Sequence, residues 1–458
     1  MFVRRIKTKS GIYLAEVENK RVGGKVKQHI IKYIGKEVNG KVIRKVSTQD
    51  VDVVNVKRYL DVEIIDKLVD ELGIKDVLPK EILVFVYAQL LDRPGINKLE
   101  EWLNNTEILN FLGISEITTS KLYNALTKFD DNDFKRIEEQ IRGVLLPYEK
   151  DSKSIVLDVT DTYFEGKSVE GKPRKGKEEK VKKLLQVGLA VTKQYGFPLL
   201  HRYYDGSISN IKIFQDMLPQ LWALKYDPII MDRGFMTEEN LSDILSLKMK
   251  VIAGVKKNRY FQNHFLEDIK KDDIYRLENR IKLKNTEVYL KAYRYRSGKL
   301  LVIYNPYLEP LKRTRYYEMH QKEGVAKYLG YSLIYHNTNM QDSEVIKTYY
   351  DKDIIERAFR QMKGVLSLRP VRVWMQSHIR SHIKICYLAY AVLALLSYKL
   401  RKLEISAPEA LEKLKTGYKV YLKDEKTGFE WSKVVTPNKL QDKIICSVKK
   451  MLKLYVIR

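Results

Sequence analysis

The sequence predicts a multidomain α/β protein whose central region is a mixed β-sheet flanked by helices. The chain has 458 residues, which is too long for a single hydrophobic core. From residue 154 onward, the predicted elements run strand, strand, strand, helix, strand, helix, strand. Hairpins join the first three strands and helical crossovers join the later ones, which is typical of a mixed sheet with helices on its faces.

The charge of the chain indicates a polyanionic partner. There are 84 Lys and Arg residues against 58 Asp and Glu, giving a net charge of +26. A solubility surface rarely needs such an excess, whereas a field of this size attracts nucleic acid. We therefore expect nucleic acid as the partner. The only two cysteines, Cys386 and Cys446, exclude a disulfide framework and a cysteine-based zinc site.

Two regions are predicted before the central domain. Residues 1–46 contain segments in which apolar and polar residues alternate or β-branched residues are frequent, separated by Gly11 and by Gly23-Gly24. This pattern predicts a small basic β-meander. Residues 51–147 are predicted as a helical DNA-binding region. Two short helices around Gly113 have the spacing of a helix-turn-helix, with Lys121 and Lys128 on an exposed face. The same punctuation is more often plain helical packing, so both interpretations stay open.

The remaining boundaries follow from the order of elements. Residues 154–255 and 331–402 are predicted to form the main domain, interrupted by a β-rich insertion at 256–330. Residues 403–458 are predicted as a basic C-terminal tail. The segment 166–183 holds eight Lys and Arg against three Glu and cannot build a core. It is either a solvated surface loop or an arm that binds a phosphate backbone.

Two aspartates stand out in the predicted strands. Asp158 lies inside an apolar strand, where a carboxylate is costly unless it is paired or bound to a metal ion. Strand alternation places it on one face with Thr160 and turns Asp161 to the other face. Asp232 directly follows a predicted strand and precedes a Gly turn and a helix. In open α/β sheets this is a common position for a functional residue, and it is equally common in a plain turn.

The segment 349–364 is predicted as one continuous amphipathic helix. One face carries an acid among cations and an aromatic ring: Tyr349, Lys352, Glu356, Arg360 and Lys363. Taken alone, this face is equally typical of a solvated surface with salt bridges. In a mixed sheet of the predicted order, however, the first and fourth strands can lie side by side, and this helix can bring Glu356 to Asp158 and Asp232.

Three acids at one place require a cation, because like charges repel. Hard carboxylate oxygens select Mg²⁺ or Mn²⁺. Two such ions activate a water or a 3′-hydroxyl and stabilise the leaving oxygen in phosphoryl transfer. The neighbouring cations Lys352, Arg360 and Lys363 would then hold the phosphates that flank the scissile bond.

Together these motifs resemble the DDE-class transposases of insertion sequences, in the branch with a Tyr-x2-Arg-x3-Glu-x6-Lys signature. Tyr349, Lys352, Glu356 and Lys363 match its spacing, with Lys at the Arg position, which keeps the charge but loses the planar fork. LDVTDTYFEG and IIMDRGF resemble the motifs of the first and second Asp. IERAFRQMKGVLSLRP and HIRSHIKICYLAYAVL resemble the third-acid helix and the helix after it. The resemblance covers about residues 154–400.

The resemblance implies an RNase H-like catalytic core with a β-rich insertion before the third acid. It implies that Asp158, Asp232 and Glu356 bind two Mg²⁺ (or Mn²⁺), that Tyr349 packs near the cleavage site, and that the cations contact DNA phosphates. The implied partner is double-stranded DNA, both transposon ends and target. The expected activity is cleavage at transposon ends and joining of the 3′-hydroxyl to target DNA, by a homodimer when bound to DNA. The alternatives are a structure-selective nuclease on the same fold and a non-enzymatic DNA-binding protein derived from a transposase.

The sequence also bears on location. The N-terminal residues MFVRRIKTKSG have no signal-peptide core. The longest apolar run, 385–396, is too short to span a bilayer and predicts a buried helix. We therefore expect a cytoplasmic, nucleoid-associated protein without a membrane partner.

Overall fold

The computed structural model describes most of the chain: residues 1–8, 11–38, 41–43, 51–150, 153–163, 173–175, 181–205, 208–283, 286–320, 328–368, 375–425 and 428–452. The basic segment 166–183 lies mostly outside these described residues. The chain divides into two compact units, one of residues 1–59 and 417–437 and the other of residues 60–416 and 438–458.

The described chain begins with five strands and six helices, and mixed strands and helices follow. The strands are β1 (Phe2–Thr8), β2 (Gly11–Val22), β3 (Lys25–Val38), β4 (Lys41–Ile43), β5 (Val51–Arg58), β6 (Ile155–Tyr163), β7 (Pro173–Lys175), β8 (Val181–Thr192), β9 (Pro198–Asp205), β10 (Ile229–Met231), β11 (Val251–Val255), β12 (Arg280–Lys282), β13 (Glu287–Tyr295), β14 (Gly298–Tyr304), β15 (Tyr331–His336), β16 (Tyr418–Asp424) and β17 (Glu430–Val434). The helices are α1 (Leu60–Glu71), α2 (Lys80–Leu90), α3 (Ile96–Asn104), α4 (Ile108–Leu112), α5 (Thr119–Lys128), α6 (Asp131–Leu145), α7 (Asn210–Ala223), α8 (Glu238–Ser246), α9 (Arg259–Phe265), α10 (Lys271–Ile274), α11 (Leu308–His320), α12 (Asp342–Tyr350), α13 (Asp353–Arg360), α14 (Gln376–Leu400), α15 (Ala407–Leu414) and α16 (Lys439–Leu452).

The first unit consists of two antiparallel sheets. Strands β1 to β4 pair in sequence order as a meander. Strand β5 pairs with β16, which in turn pairs with β17. The prediction that 51–147 is helical is therefore wrong for residues 51–58. Their sequence VDVVNVKR is rich in β-branched valine, which favours a strand, and its partner strand lies more than 350 residues further along the chain.

The second unit is built on one mixed sheet, which confirms the predicted mixed α/β class. Its strand order is β12-β13-β14-β15-β11-β10-β6-β8-β7, and β9 also pairs with β8. Strand β10 runs parallel to both β6 and β11, whereas β8 is antiparallel to β6 and β9. The first and fourth strands of the main domain, β6 and β10, are thus direct neighbours, as the predicted sheet allowed.

The two faces of β6 have different surroundings. Ile155, Leu157 and Val159 belong to a hydrophobic core that includes residues of helices α7 and α8. Alternation along the strand places Val156, Asp158 and Thr160 on the opposite face. Helix α13 packs against β6 and β8, and α12 packs against β11. The face that carries Asp158 therefore points away from the core formed with α7 and α8.

The segment 256–330 contains both strands and helices. Strands β12, β13 and β14 continue the central sheet through the pairing of β14 with β15. Helices α9, α10 and α11 belong to the same segment. Strands β13 and β14 form a hairpin that extends the main sheet. The predicted domain boundaries themselves stay predictions.

The prediction of one continuous helix over 349–364 is wrong. Helix α12 ends at Tyr350, α13 begins at Asp353, and residues 361–365 form a π-helical turn. The break turns Tyr349 and Lys352 toward Asp232, with which both make polar contacts. The π turn is stabilised by the bond from the Leu366 amide to the Gln361 carbonyl (2.9 Å).

Helix α14 contains the apolar run 385–396. By length and composition the helix is able to cross a membrane, contrary to the expectation from the run alone. However, 89% of its most apolar window is buried inside the protein, and core helices commonly pass the same test. The prediction of a buried helix is confirmed.

Candidate active site

Asp158 and Asp232 occupy neighbouring positions on two parallel strands, with Asp158 inside β6 and Asp232 directly after the last residue of β10. Leu157 of β6 is paired with Met231 of β10, and Met231 is paired with Ala253 of β11. The following residues, Asp158, Asp232 and Gly254, therefore form one row across three strands. Neighbouring strands are about 4.8 Å apart, so the two carboxylates start from adjacent positions. The structure thus brings together two of the three predicted acids.

Asp232 has several polar partners. Its Oδ1 accepts hydrogen bonds from Lys352 Nζ (3.0 Å) and from Tyr349 Oη (3.1 Å). Burial raises the pKa of the Asp232 carboxyl, but Lys352, the Arg233 amide and Tyr349 outweigh burial and hold the pKa below its ordinary value. The side chain is still 52% exposed. Asp232 is therefore ionised at neutral pH and open to a further ligand.

Tyr349 reaches Asp232 because residue 254 has no side chain. A methyl group on Gly254 would overlap the Tyr349 hydroxyl and would lie 3.1 Å from the Arg233 amide nitrogen. Burial and the neighbouring Asp232 carboxylate raise the pKa of Tyr349 well above its ordinary value. The phenol consequently stays protonated and donates to Asp232.

Lys352 occupies the position where the signature has arginine. Its ammonium lies 4.3 Å from the centre of the Tyr349 ring and 3.3 Å from the Tyr349 hydroxyl, in addition to its ion pair with Asp232. A compact point charge suits this position between a ring and one carboxylate oxygen, since neither partner requires a planar fork. Lys352 thus places a positive charge beside Asp232.

Glu356 and Arg360 lie on the open side of the site. Both residues are exposed on α13, which packs against β6 and β8. The Glu356 carboxylate makes no hydrogen bond or ion pair within the described part of the chain. The structure therefore places Glu356 on the helix that covers the neighbouring strands but does not join it to the two aspartates.

Lys363 approaches the row from the other end of this helix. Its Nζ donates to the hydroxyl of Thr160, which is buried and lies two residues beyond Asp158 on the same strand face. The π turn that carries Lys363 is fixed from α2 and the residues after it: Gln89 donates to the carbonyl of Leu366, and Arg93 donates to that of Val365. The first helices of the second unit thus hold a residue of the candidate site.

The donor set of the site favours a hard cation. Asp158 and Asp232 supply adjacent carboxylate oxygens, and a lysine ammonium already neutralises one of them. Within the residues that the structure describes, no three His, Cys, Asp or Glu side chains lie close enough together to hold a metal ion. The two aspartates fit a divalent metal ion, and Glu356 becomes a third ligand only if it moves toward them.

Sequence reasoning missed several residues of the site. Gly254 is the clearest, since a glycine within the apolar strand VIAGV is a signal of close approach by another group. For Thr160, the sequence predicts only the strand face. Gln89 and Arg93 lie about 270 residues before the carbonyls they bind, and nothing in the local sequence indicates those bonds.

Comparisons with known proteins agree with the resemblance in the sequence. No curated protein matches the chain. Among solved structures, a piggyBac transposase synaptic complex with hairpin DNA aligns with a TM-score of 0.42 and 10% identity, covering 87% of this chain and 82% of that chain. That score is too low to support an inference about this chain. A family model described as a transposase DDE domain matches residues 149–392, a range that includes Asp158, Asp232 and Glu356. Because this match spans more than half of the 458 residues, the chain belongs to the DDE transposase family.

Proposed function

We propose that the protein is a DNA transposase that cuts at transposon ends and joins the freed 3′-hydroxyl to target DNA. Asp158, Asp232 and Glu356 are the catalytic acids in this proposal, and two Mg²⁺ (or Mn²⁺) are the cofactors. The observation that carries the proposal is the row formed by Asp158 and Asp232 on parallel neighbouring strands, with a cation at Asp232. Adjacent carboxylates with an accessible oxygen suit phosphoryl transfer.

The topology supports an RNase H-like core. Five strands of the central sheet have the spatial order β9-β8-β6-β10-β11. Strand β8 runs antiparallel to the other four, which all run in the same direction. The first, second and third strands form hairpins, and the last two follow helical crossovers through α7 and α8. We infer that 256–330 is an insertion into this core, placed between its fifth strand and the third acid.

The residues around the acids have separate roles in the proposed reaction. Asp232 is held in one orientation by the Tyr349 hydroxyl, which remains protonated. Lys352 balances the charge of Asp232 before substrate arrives and then contacts a backbone phosphate of the DNA. Lys363, next to Thr160, and the exposed Arg360 would contact phosphates on the other side of Glu356.

Glu356 would complete the site when DNA binds. Its carboxylate is exposed and unengaged among the described residues, so its movement breaks no existing bond. When bound, the two metal ions would lower the pKa of the attacking water or hydroxyl and stabilise the leaving oxygen. Asp158, Asp232 and Glu356 would hold them through carboxylate oxygens.

The test is cleavage of DNA that carries the sequences flanking the coding region, with Mg²⁺ present. Asp158→Asn, Asp232→Asn and Glu356→Gln should each lower the cleavage rate by about 10³-fold or more, since the loss of one charged group in such a site typically removes several kcal/mol of transition-state stabilisation. Asp161→Asn is the matched control. It lies on the same strand with its side chain on the opposite face, so cleavage should be unchanged.

The products separate this proposal from its alternatives. Joined products together with cut ends support a transposase. Cut products that are never joined would favour a structure-selective nuclease on the same fold. Binding without cleavage at any Mg²⁺ or Mn²⁺ concentration would favour a non-enzymatic DNA-binding protein. We further propose that two copies of the chain bridge two DNA ends, which cross-linking in the presence of DNA would detect as a homodimer.

A further inference from the structure

A second cluster of cations lies at the same end of the central sheet as Asp232. Arg233 follows Asp232 directly after β10, and Lys257 comes two residues after the end of the neighbouring strand β11. Lys312 on α11 is the third member, because it is close enough to Lys257 and Arg233 for their charges to interact. Arg233 and Lys312 are exposed, and neither forms an ion pair with any acid in the described ranges. None of these three cations belongs to the signature residues Tyr349, Lys352, Glu356 and Lys363.

Lys257 is the fixed member of the cluster. Its partly buried ammonium donates to the carbonyl oxygens of Tyr328 (2.6 Å) and Tyr331 (3.0 Å). Carbonyl oxygens orient the ammonium without neutralising it. The charge is therefore held in place beside Arg233 and Lys312, and no carboxylate among the described residues compensates it.

The three cations repel one another in the absence of a ligand. Burial, Lys312 and Arg233 together lower the pKa of Lys257 to about 8. Although Lys312 as a whole is exposed, partial burial of its ammonium and the charge of Arg233 also lower its pKa. Positive groups that are held close together without an acid attract an anion, because a bound anion relieves their mutual repulsion.

We propose that Arg233, Lys257 and Lys312 form a binding site for a backbone phosphate of the DNA strand that enters the active site. This inference rests on the proposed function. A phosphodiester matches the site because an arginine fork and two lysine point charges are typical phosphate ligands. The site would bind a phosphate near the scissile one, since Arg233 is the direct neighbour of Asp232. The segment 256–330, which supplies Lys257 and Lys312, would then be part of the substrate site.

The experiment measures DNA affinity of the full-length protein at several salt concentrations, in EDTA so that no cleavage occurs. The probe is a duplex that carries the sequences flanking the coding region. Lys312→Gln and Arg233→Gln should each weaken binding and reduce the slope of log K against log salt by about 0.9 for each phosphate that is no longer neutralised. Lys257→Met, which keeps the side-chain length, should do the same if it folds. Lys312→Gln is exposed and keeps the test decisive if Lys257→Met does not fold.

Lys250→Gln is the matched control, because Lys250 lies at the opposite end of β11. Its salt slope should equal that of the wild type. A second series replaces one phosphate at a time with a neutral methylphosphonate. At one position near the scissile bond, the methylphosphonate should weaken DNA binding by the wild type. The same replacement should not weaken DNA binding by Lys312→Gln any further.

The outcomes separate this inference from the proposed function. If the three variants bind DNA with the wild-type slope while the wild type still cleaves DNA with Mg²⁺, the phosphate site is wrong and the function stands. A further outcome is that the variants bind DNA with the wild-type salt slope, while polyglutamate competes with DNA for the wild type but not for the variants. In that case the cluster binds an acidic protein instead of DNA. If the wild type binds no DNA, both proposals fail.

Discussion

The acid at the end of strand β10 and the acid on helix α13 differ in how firmly polar contacts hold them in the candidate site. On the strand side, Asp232 is bound by Lys352, by Tyr349 and by the Arg233 amide. On the helix side, Glu356 has no polar partner among the described residues. Contacts within the protein therefore fix the Asp232 carboxylate, whereas no polar contact among the described residues fixes the Glu356 carboxylate. This difference predicts that substitutions on the strand side affect the free protein more strongly.

The largest effect is expected from Gly254→Ala. The added methyl group would overlap the Tyr349 hydroxyl and approach the backbone of Arg233, so Tyr349 must leave Asp232. Overpacking of this kind lowers the free energy of unfolding by about 1–3 kcal/mol. Urea denaturation monitored by circular dichroism measures the change.

Gly143→Ala provides the control for that substitution. Gly143 lies in α6 with open space around its Cβ position. Alanine should stabilise the protein there by about 0.4–1 kcal/mol, because it restricts the unfolded chain. Equal stabilities of the two alanine variants would contradict the close packing of Tyr349 on Gly254.

A smaller effect is expected from Gln89→Ala, at the junction of the α2 helix with the π turn of Lys363. The variant loses the hydrogen bond to the Leu366 carbonyl, which keeps only a weak bond from the Cys386 thiol (3.5 Å). The loss of a hydrogen bond costs about 1 kcal/mol. Hydrogen exchange should become faster at the Leu366 amide, which closes the π turn.

The matched variant is Gln215→Ala on α7, whose side chain has no polar partner among the described residues. It should leave exchange at Leu366 unchanged. If both glutamine variants give wild-type exchange at Leu366, α2 does not hold the π turn.

The sequence was informative where a pattern is local. Alternation and apolar runs identified strands β6, β8, β9, β10 and β11 and the helices between them. The same alternation assigned Asp158 to the face of Thr160, and the contact of Lys363 with Thr160 agrees with that face. Asp232 was recognisable because a short buried strand ends directly before it. Each of these signals depends on a few neighbouring residues.

Features that depend on distant residues were missed. The break between α12 and α13 goes together with contacts of Tyr349 and Lys352 with Asp232, which lies 117 residues before Tyr349. The strand β5 depends on pairing with β16 near the other end of the chain. Neither contact changes the helical or strand periodicity of the local sequence. Local patterns therefore predicted one continuous helix over 349–364 and a helical region that included 51–58.

The smallest expected effect concerns the pH dependence of Lys352→Met. The pKa of Asp232 lies below 3.8, its ordinary value, so its ion pair stabilises the folded protein above that pH. The contribution is lost as the pH falls below 3.8 and Asp232 takes up a proton. Because Asp232 is 52% exposed, solvent screening limits the pair to about 1 kcal/mol or less.

The measurement is urea denaturation of the wild type and the variant between acid and neutral pH. The difference in stability should be present near neutral pH and should shrink below 3.8, as the Asp232 charge disappears. Glu356→Gln, which leaves both Lys352 and Asp232 in place, should keep the contribution of their ion pair. A pH profile altered by Glu356→Gln but not by Lys352→Met would mean that the helix side, and not the strand side, is the part that is already assembled.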